Sequence, residues 1–264
     1  MIKRYTTLYK ALVAQFIKQI MQSKINFLMG LLGFFLTQLL GISFLYLIFE
    51  QIPELDGWTL QQLIFIYGFA QIPRSIDHLL TDNIWMLAWR MVITGDFDRY
   101  LLRPMNVFFQ LISEKLQPDA IGELLIGFIL VGISFRDNIL IIDGCHIVFF
   151  IISIVAGAFI YTSIKLLFAS LAFWVKQSGP FLQIAYNTAD FAKYPIEIYS
   201  RTVQFILSWI IPFAFVAYIP ASYFLMKKSL ISTVGVEVLI AIVFWIISYN
   251  FFMYGISKYE SVGN

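Results

Sequence analysis

The run INFLMGLLGFFLTQLLGISFLYLIF, from Ile25 to Phe49, contains no charged residue. A helix needs roughly 20 mostly apolar residues to cross a bilayer core about 30 Å thick, and this run exceeds that length. It therefore predicts a first transmembrane helix. The rest of the chain has the same character, because 60% of its 264 residues are hydrophobic and only 13% are charged. The sequence predicts an all-α integral membrane protein.

Further apolar stretches predict six transmembrane helices in total. The later spans cover residues 58–73, 118–135, 146–174 and 234–254, together with either 179–199 or 203–226. Pro195, Pro212 and Pro220 interrupt the last two alternatives. Backbone that is not helical is tolerated at membrane depth only where protein or water surrounds it. We therefore expect the stretch that does not cross to be a re-entrant hairpin, packed inside the protein before the last span.

The distribution of charge predicts the orientation of these spans. The connection after the first span, EQIPELDGWTLQ at residues 50–61, has three acidic residues and no Lys or Arg, whereas the chain before that span is basic. Cytoplasmic loops carry an excess of Lys and Arg, so both termini and the basic segment 83–117 are predicted to be cytoplasmic. Lys227 and Lys228 would then lie outside, against the same rule.

Residues 1–24 fit an amphipathic helix that precedes the first span. Apolar side chains recur every four residues, at Leu8, Leu12, Phe16 and Ile20, and lysines lie opposite. A helix of this kind lies in the membrane interface, with its apolar face among the lipids. The alternative is a cytoplasmic extension of the first span.

The stretch GDFDRYLLRPMN, residues 95–106, is a hydrophilic insertion between long apolar runs. Gly95 can form a turn, and Pro104 can end a helix that starts at Asp96. Asp96, Asp98, Arg99 and Arg103 provide charges of both signs, and Tyr100, Leu101 and Leu102 provide apolar side chains. The pattern indicates a short, water-facing element whose charged and apolar side chains could contact another molecule. The alternative is an ordinary solvated loop.

Ionisable residues also occur within or next to the predicted spans. Arg74, Asp77, His78 and Asp82 have spacings that place them along one side of a helix, so they form either a proton relay or a solvated helix extension held by ion pairs. Lys165 is expected to extend its side chain to the inner headgroups. Glu237 in the last span is a candidate pathway residue, and a structural role for it is equally open.

Several function classes lack their motifs in this sequence. There is no nucleotide-binding G-x-x-x-x-G-K-[ST] loop, no G-x-S-x-G or H-E-x-x-H motif and, with Cys145 the only cysteine, no paired-cysteine metal site. We therefore predict no catalytic residues, no metal and no cofactor bound by this chain. The net charge of +2 is too small to indicate nucleic-acid binding.

Taken together, these features resemble the permease subunits of bacterial type-2 ATP-binding-cassette (ABC) exporters. The sharpest motif of that family is G-x-x-D-x-Y-L-L-x-P, which is met here by Gly95, Asp98, Tyr100, Leu101, Leu102 and Pro104. Two later stretches, YPIEIY at residues 194–199 and IIPFAFVAYIP at residues 210–220, add to the likeness. The resemblance covers essentially the whole chain.

The resemblance implies a single transmembrane permease domain over residues 1–264, in the plasma (inner) membrane of a bacterium. Such a permease pairs with a second copy or a related permease and transports substrate outward. Its coupling helix between spans two and three, here within 83–117, docks on a separate ABC ATPase that is often encoded beside it and that binds ATP and Mg. The region around Pro195, Pro212 and Pro220 would form the outer re-entrant hairpin that roofs the pathway.

Two other functions remain open at the level of the sequence. One is an intramembrane enzyme that modifies lipids through acids such as Asp190, Glu197 or Glu237. The other is a proton-coupled carrier that uses Asp77 and His78 with Asp82. The sequence does not identify the substrate.

Overall fold

The computed structural model describes residues 24–134 and 144–261, together with Ala14 and Lys18. The interfacial helix predicted on Leu8, Leu12, Phe16 and Ile20 lies outside these residues. The described chain is helical and contains no strand, which confirms the predicted all-α class.

Twelve α-helices, interrupted by π and 3-10 turns, make up the described chain. They are α1 (Lys24–Gln51), α2 (Leu60–Thr81), α3 (Ile84–Met86), α4 (Asp98–Leu101), α5 (Val107–Glu114), α6 (Ala120–Ser134), α7 (Gly144–Ser170), α8 (Ala172–Val175), α9 (Gly179–Asn187), α10 (Arg201–Phe205), α11 (Tyr218–Met226) and α12 (Val236–Lys258). The π turns are Leu87–Met91, Ile206–Ile210 and Ile231–Gly235, and the 3-10 turns are Thr188–Lys193, Ile196–Ile198 and Phe213–Phe215.

Three helical segments in the described chain are long and apolar enough to cross a membrane. These are Phe27–Gln51, Gly144–Val175 and Ile231–Lys258. They correspond to the first, fourth and last predicted spans. The helix α2 has 22 residues, but glutamines and ionisable side chains lower its hydropathy, and α6 is shorter than a full span. The six-span arrangement therefore stays a prediction.

In the region of residues 179–226, one stretch was predicted to cross the membrane and the other to be re-entrant, and the structure has a sharp bend there. The segments Arg201–Ile210 and Phe213–Met226 meet at an angle of 76°, which is the geometry of a broken span or a re-entrant loop. Pro212 lies at this bend, as expected, and Pro195 precedes a 3-10 turn. Pro220 does not lie at a break. It is the third residue of α11, where its missing N–H has no helical partner to lose.

The helix α2 is the centre of the bundle, and every residue from Leu63 to Pro73 is buried. It packs against α6 and α7, whereas most of α1 is exposed. Close approach of α2 and α6 depends on Gly68 and Gly127. A Cβ on Gly127 would lie 2.8 Å from Cγ1 of Ile72 and 3.1 Å from the Gly68 carbonyl oxygen. Glycine at such a crossing lets two backbones touch.

We expect Gly127→Val to destabilise the protein by about 1–3 kcal/mol, because the added atoms overfill the contact between α2 and α6. The matched control is Gly132→Val in the same helix, since a Cβ there meets no atom within 4 Å. Both changes put a β-branched residue into α6, so helix propensity cancels in the comparison. Thermal unfolding in detergent should separate the two variants, and equal losses would contradict the packing argument.

Contacts between elements define the two ends of the bundle. At one end, the backbone N–H of Ser178 donates to the Ala88 carbonyl at 2.9 Å, and the Tyr259 hydroxyl donates to Asp98 at 2.8 Å. At the other end, Trp58 packs on Tyr218 with ring centroids 5.7 Å apart. The segment 83–117 therefore lies at the same end as the last residues of α12.

The two ends differ in their basic residues. The end with segment 83–117 has Arg90, Arg99, Arg103, Lys115, Lys176 and Lys258. Lys227 and Lys228 follow α11, which packs near Trp58 at the opposite end. The positive-inside rule places the end richer in basic residues in the cytoplasm, and this orientation stays a prediction.

Candidate functional site

The coupling segment, which we define as residues 85–106, leaves the end of α2 and folds back against the bundle. Gly95 has a φ of +74°, a conformation that glycine adopts without steric cost, so the predicted turn is present. The helix that follows begins at Asp98 and ends at Leu101, later than the predicted start at Asp96 and before Pro104.

Asp96 caps the turn instead of starting the helix. Its carboxylate accepts hydrogen bonds from Thr94 at 2.8 Å and from Arg90 at 3.1 Å. The hydrogen bond from Thr94 and the nearby charge of Arg90 lower the pKa of Asp96. Asp96 is therefore a carboxylate at neutral pH and holds the turn closed from within the chain.

Asp98 and Arg99 are also held by residues of this chain. Arg99 pairs with Glu114 of α5 at 2.5 Å, and Asp98 accepts the hydrogen bond from Tyr259, which follows α12. Burial and this bond to Asp98 raise the pKa of Tyr259 to about 12. The segment is thus tied to both α5 and the end of α12.

The structure corrects the role that we expected for Tyr100. Its side chain is 1% exposed, packs on Phe97 and is hydrogen-bonded to Glu114. Burial and the bond to Glu114 raise the pKa of Tyr100 to about 12, so it remains a neutral hydrogen-bond donor. Tyr100 anchors the segment to its own chain, and its side chain is not exposed as we expected.

The coupling segment has several exposed residues, and four consecutive ones form an apolar tip next to a positive charge. Leu101 is 43% exposed and Leu102 is 84% exposed, and Arg103 and Pro104 are exposed beside them. A leucine as exposed as Leu102 contributes nothing to the core. The tip, defined as residues 101–104, contains the most exposed leucine of the segment, Leu102, and is accessible to a partner.

A second set of polar side chains lies inside the bundle. The Nζ of Lys165 on α7 is 2.6 Å from Oδ2 of Asp77 on α2, and both side chains are fully buried. The prediction for Lys165 is therefore wrong, since its side chain does not extend to the headgroups. Of the two alternatives for Asp77, the solvated helix extension does not hold, because its side chain is buried. The sequence around Lys165 is apolar and gives no sign of a partner. Asp77, which binds it, is far away in the sequence.

Asp77 is fully hydrogen-bonded within the core. Its carboxylate accepts hydrogen bonds from the hydroxyls of Thr81 at 2.6 Å and of Thr162 and Tyr186 at 2.8 Å each. A buried charge requires such partners, because the interior provides no water to solvate it. The cluster joins α2, α7 and α9 at one point.

A neighbouring cluster is centred on Glu123 of α6. His78 contacts its carboxylate at 2.9 Å and Arg74 at 3.4 Å. Arg74 also binds Asp190 at 2.8 Å, and Lys193 binds the same oxygen at 2.9 Å. The side chain of Asp190 is 58% exposed although its partners are mostly buried. Without His78, the two clusters contain three acids and three bases, so their charges balance.

The acids considered for an enzyme do not come together in the described residues. Glu237 is fully buried and accepts a hydrogen bond from Ser153, while its Oε1 atom has no partner. Glu197 is bound by Tyr218, and Asp190 belongs to the Arg74 cluster. Asp77 and His78 likewise have different partners, Lys165 and Glu123.

A groove of about 420 Å³ lies beside the Asp77 cluster. Its polar floor consists of Asp77, Thr81 and Thr162, and its walls include Phe159 and Trp245. The polar atoms of its floor already bind one another. The described residues form no group of three or more His, Cys, Asp and Glu side chains that is able to hold a metal ion.

Sequence reasoning predicted the turn at Gly95 and the short helix after it but missed the pairing inside the bundle. The available signal was an ionisable residue in each of several apolar helices, since such residues rarely face lipid. Which acid binds which base depends on the helix packing, and no local pattern contains that information.

Comparison with known proteins gives one match. A family model described as "ABC-2 family transporter protein" matches residues 32–263. No curated protein and no solved structure shows significant similarity to the chain. The matched range includes the coupling segment and both buried clusters.

Proposed function

The chain belongs to the ABC-2 transporter family, and on that premise we propose that it is the permease subunit of an ATP-driven exporter. In this proposal, two permease subunits form the substrate pathway, and separate ATPase subunits bind ATP and Mg and drive the transport. The family membership supports a transporter subunit in a membrane over an enzyme.

The observation that carries the proposal is the exposed tip of the coupling segment. Leu101 and Leu102 lie at the end of the bundle that is richer in basic residues, where a cytoplasmic ATPase would dock. Apolar side chains at the centre of a patch, with charged residues at its rim, are typical of protein interfaces. Arg103 would provide such a rim charge.

The base of the tip has the rigidity that a coupling element requires. Phe97 is fully buried, Tyr100 is bound to Glu114, and Arg99 is paired with the same acid. An element fixed at several points transmits a displacement to the helices that hold it, whereas a solvated loop would absorb it. These contacts favour the coupling function over the alternative of an ordinary loop.

Polar residues on the exposed face of α9 support the proposal that a second permease subunit is present. Gln183 and Asn187 are exposed and bind each other at 2.8 Å, and Asp190 follows on the exposed side. These residues lie between the two ends of the bundle, beside the Arg74 cluster. Hydrocarbon does not solvate such groups, so we propose that they face another subunit or a water-filled pathway.

The remaining parts of the proposal follow the family and the charge distribution. The permease would lie in the plasma (inner) membrane of a bacterium, with both termini in the cytoplasm and residues 1–24 as an interfacial helix against the lipids. The bent region 201–226 would be the re-entrant hairpin on the outer side. Glu237 stays a candidate pathway residue.

Co-expression of the chain with the ABC ATPase encoded beside it tests the proposal. We expect the two proteins to purify together in detergent and to hydrolyse ATP in a Mg-dependent way after reconstitution. An ATPase variant without its catalytic carboxylate is the control, and it should assemble but not hydrolyse ATP. A permease that purifies without the ATPase, or an ATPase whose activity ignores the permease, would refute the assignment.

A further inference from the structure

The beginning of α9 is fixed directly to the coupling segment. The backbone N–H of Ser178 donates to the Ala88 carbonyl oxygen at 2.9 Å. A Cβ added to Gly179 would overlap the indole ring of Trp89, so the two segments are in close contact here. We call this contact the lower joint. A displacement of the π turn Leu87–Met91 therefore displaces the first residue of α9.

A second contact links α9 to the end of α2. The Tyr186 hydroxyl donates to Asp77 at 2.8 Å, and its ring stacks on His78 with centroids 5.5 Å apart. The same ring contacts Trp85 edge-on at 5.3 Å. We call this contact the upper joint. It connects α9 to both sides of the turn through which α2 continues into the coupling segment.

The segment that these joints hold is bounded by breaks in the chain. Lys176, just before α9, has a φ of +61°, an uncommon conformation for a residue with a side chain. After α9, the 3-10 turn Thr188–Lys193 is followed by Tyr194, whose backbone is extended, and then by Pro195. Element ends that absorb changes in φ and ψ are the usual positions of hinges. Residues 179–193 are thus connected as one body to the coupling segment and bounded by a break at each end.

Stability alone is a poor explanation for the buried Asp77 cluster, to which the upper joint is bound. A fully buried ion pair such as Asp77–Lys165 is often no more stable than well-packed apolar residues of similar volume. Directional contacts do, however, fix the register of the helices that they join. Here the hydrogen bonds and the ion pair of Asp77 fix the position of α9 along α2 and α7.

We infer that the coupling segment moves α9 as a body through the lower and upper joints, which makes Trp89, Gly179, Asp77 and Tyr186 positioning residues for transport. The movement would displace Gln183 and Asn187, which lie on the exposed face of α9. This inference rests on the proposed function, because it needs an ATPase that displaces the coupling segment.

A fluorescent reporter on α9 tests the inference without a known substrate. In a Cys145→Ser background, Gln183→Cys is labelled with an environment-sensitive bimane dye, and the complex with the ATPase is placed in lipid nanodiscs. We expect ATP with vanadate to change the emission of the dye. Tyr186→Phe keeps the ring and removes only the hydrogen bond to Asp77, so we expect assembly and ATP hydrolysis to persist while most of the emission change disappears.

Tyr161→Phe is the matched control. Tyr161 is also buried, its ring centroid is 5.7 Å from that of Tyr186, and its hydroxyl is not one of those that donate to Asp77. This variant should keep the full emission change. Gly179→Ala should also alter the emission change, because the added Cβ overlaps the ring of Trp89. In the double variant Gly179→Ala/Trp89→Ala, this overlap should be relieved.

Two results would overturn the inference while leaving the proposed function in place. One is an unchanged emission in a complex that hydrolyses ATP, because α9 would then not move. The other is a full emission change in Tyr186→Phe. If no complex with the ATPase forms, the proposed function fails and the inference fails with it.

Discussion

Lys165→Met is expected to lower the free energy of unfolding by about 3–5 kcal/mol, the cost of removing one partner of a buried ion pair. The change leaves the volume of the side chain nearly unaltered but removes the only cation bound to Asp77 among the described residues. Both side chains are fully buried, so water cannot replace the lost charge. The hydroxyls of Thr81, Thr162 and Tyr186 still donate to the carboxylate, but they do not neutralise it.

Denaturant unfolding in detergent, followed by tryptophan fluorescence, measures this loss. The double variant Asp77→Asn/Lys165→Met should be more stable than Lys165→Met alone, because it contains no unpaired charge. Lys193→Met is the matched control, with an expected loss of at most about 1 kcal/mol. Its partner Asp190 is 58% exposed and keeps Arg74 as a second partner. Equal losses from Lys165→Met and Lys193→Met would show that burial does not determine the cost.

The apolar helices were predictable because their signal is local. Runs such as Ile25–Phe49 contain no charge over a membrane-spanning length, and any other placement would expose them to water. The structure has α1, α7 and α12 at these positions. The helix α2 was harder to place, since its second half mixes apolar residues with Arg74, Asp77 and His78, and the sequence does not say whether these face water or protein.

The charge clusters were not predictable for a topological reason. Asp77 binds Lys165, and Arg74 binds Asp190, so each bond joins residues from different helices. Periodicity shows which residues share the face of one helix, and it contains no information on which faces meet. A lysine late in an apolar run is compatible both with an extended side chain at the headgroups and with a buried pair. The packing of α7 on α2 decided between them.

The local structure of residues 95–104 was predicted from the sequence, but the contacts of each residue were not. Its turn at Gly95 and its short helix are present. Spacing did not show that Tyr100 is bound by Glu114 of α5, because the sequence alone gives no sign of which side of a short helix faces the bundle. Only the structure shows that Tyr100 faces the bundle whereas Leu101 and Leu102 are exposed. The two leucines are therefore the residues to replace when binding of a partner is tested.

Replacing both leucines of the tip, as Leu101→Asp/Leu102→Asp, is expected to abolish stable binding of the ATPase. Truncating a hot-spot side chain at the centre of an interface costs about 2 kcal/mol or more, and 1.4 kcal/mol corresponds to a tenfold change in affinity. We therefore expect the dissociation constant to rise roughly a hundredfold or more. The fold of the permease should persist, since Leu102 is 84% exposed and neither leucine is buried.

Binding of the purified ATPase to the permease in nanodiscs, measured by biolayer interferometry, gives the dissociation constant directly. Val175→Asp is the matched control, because Val175 is 52% exposed and lies at the same end of the bundle outside the coupling segment. Arg103→Ala should have a smaller effect that depends on salt, as expected of a charge at the rim. If the double variant binds as tightly as the Val175→Asp control, the tip does not form the interface. The ATPase would then have to contact another part of this end, and the rigid base around Tyr100 would need a different explanation.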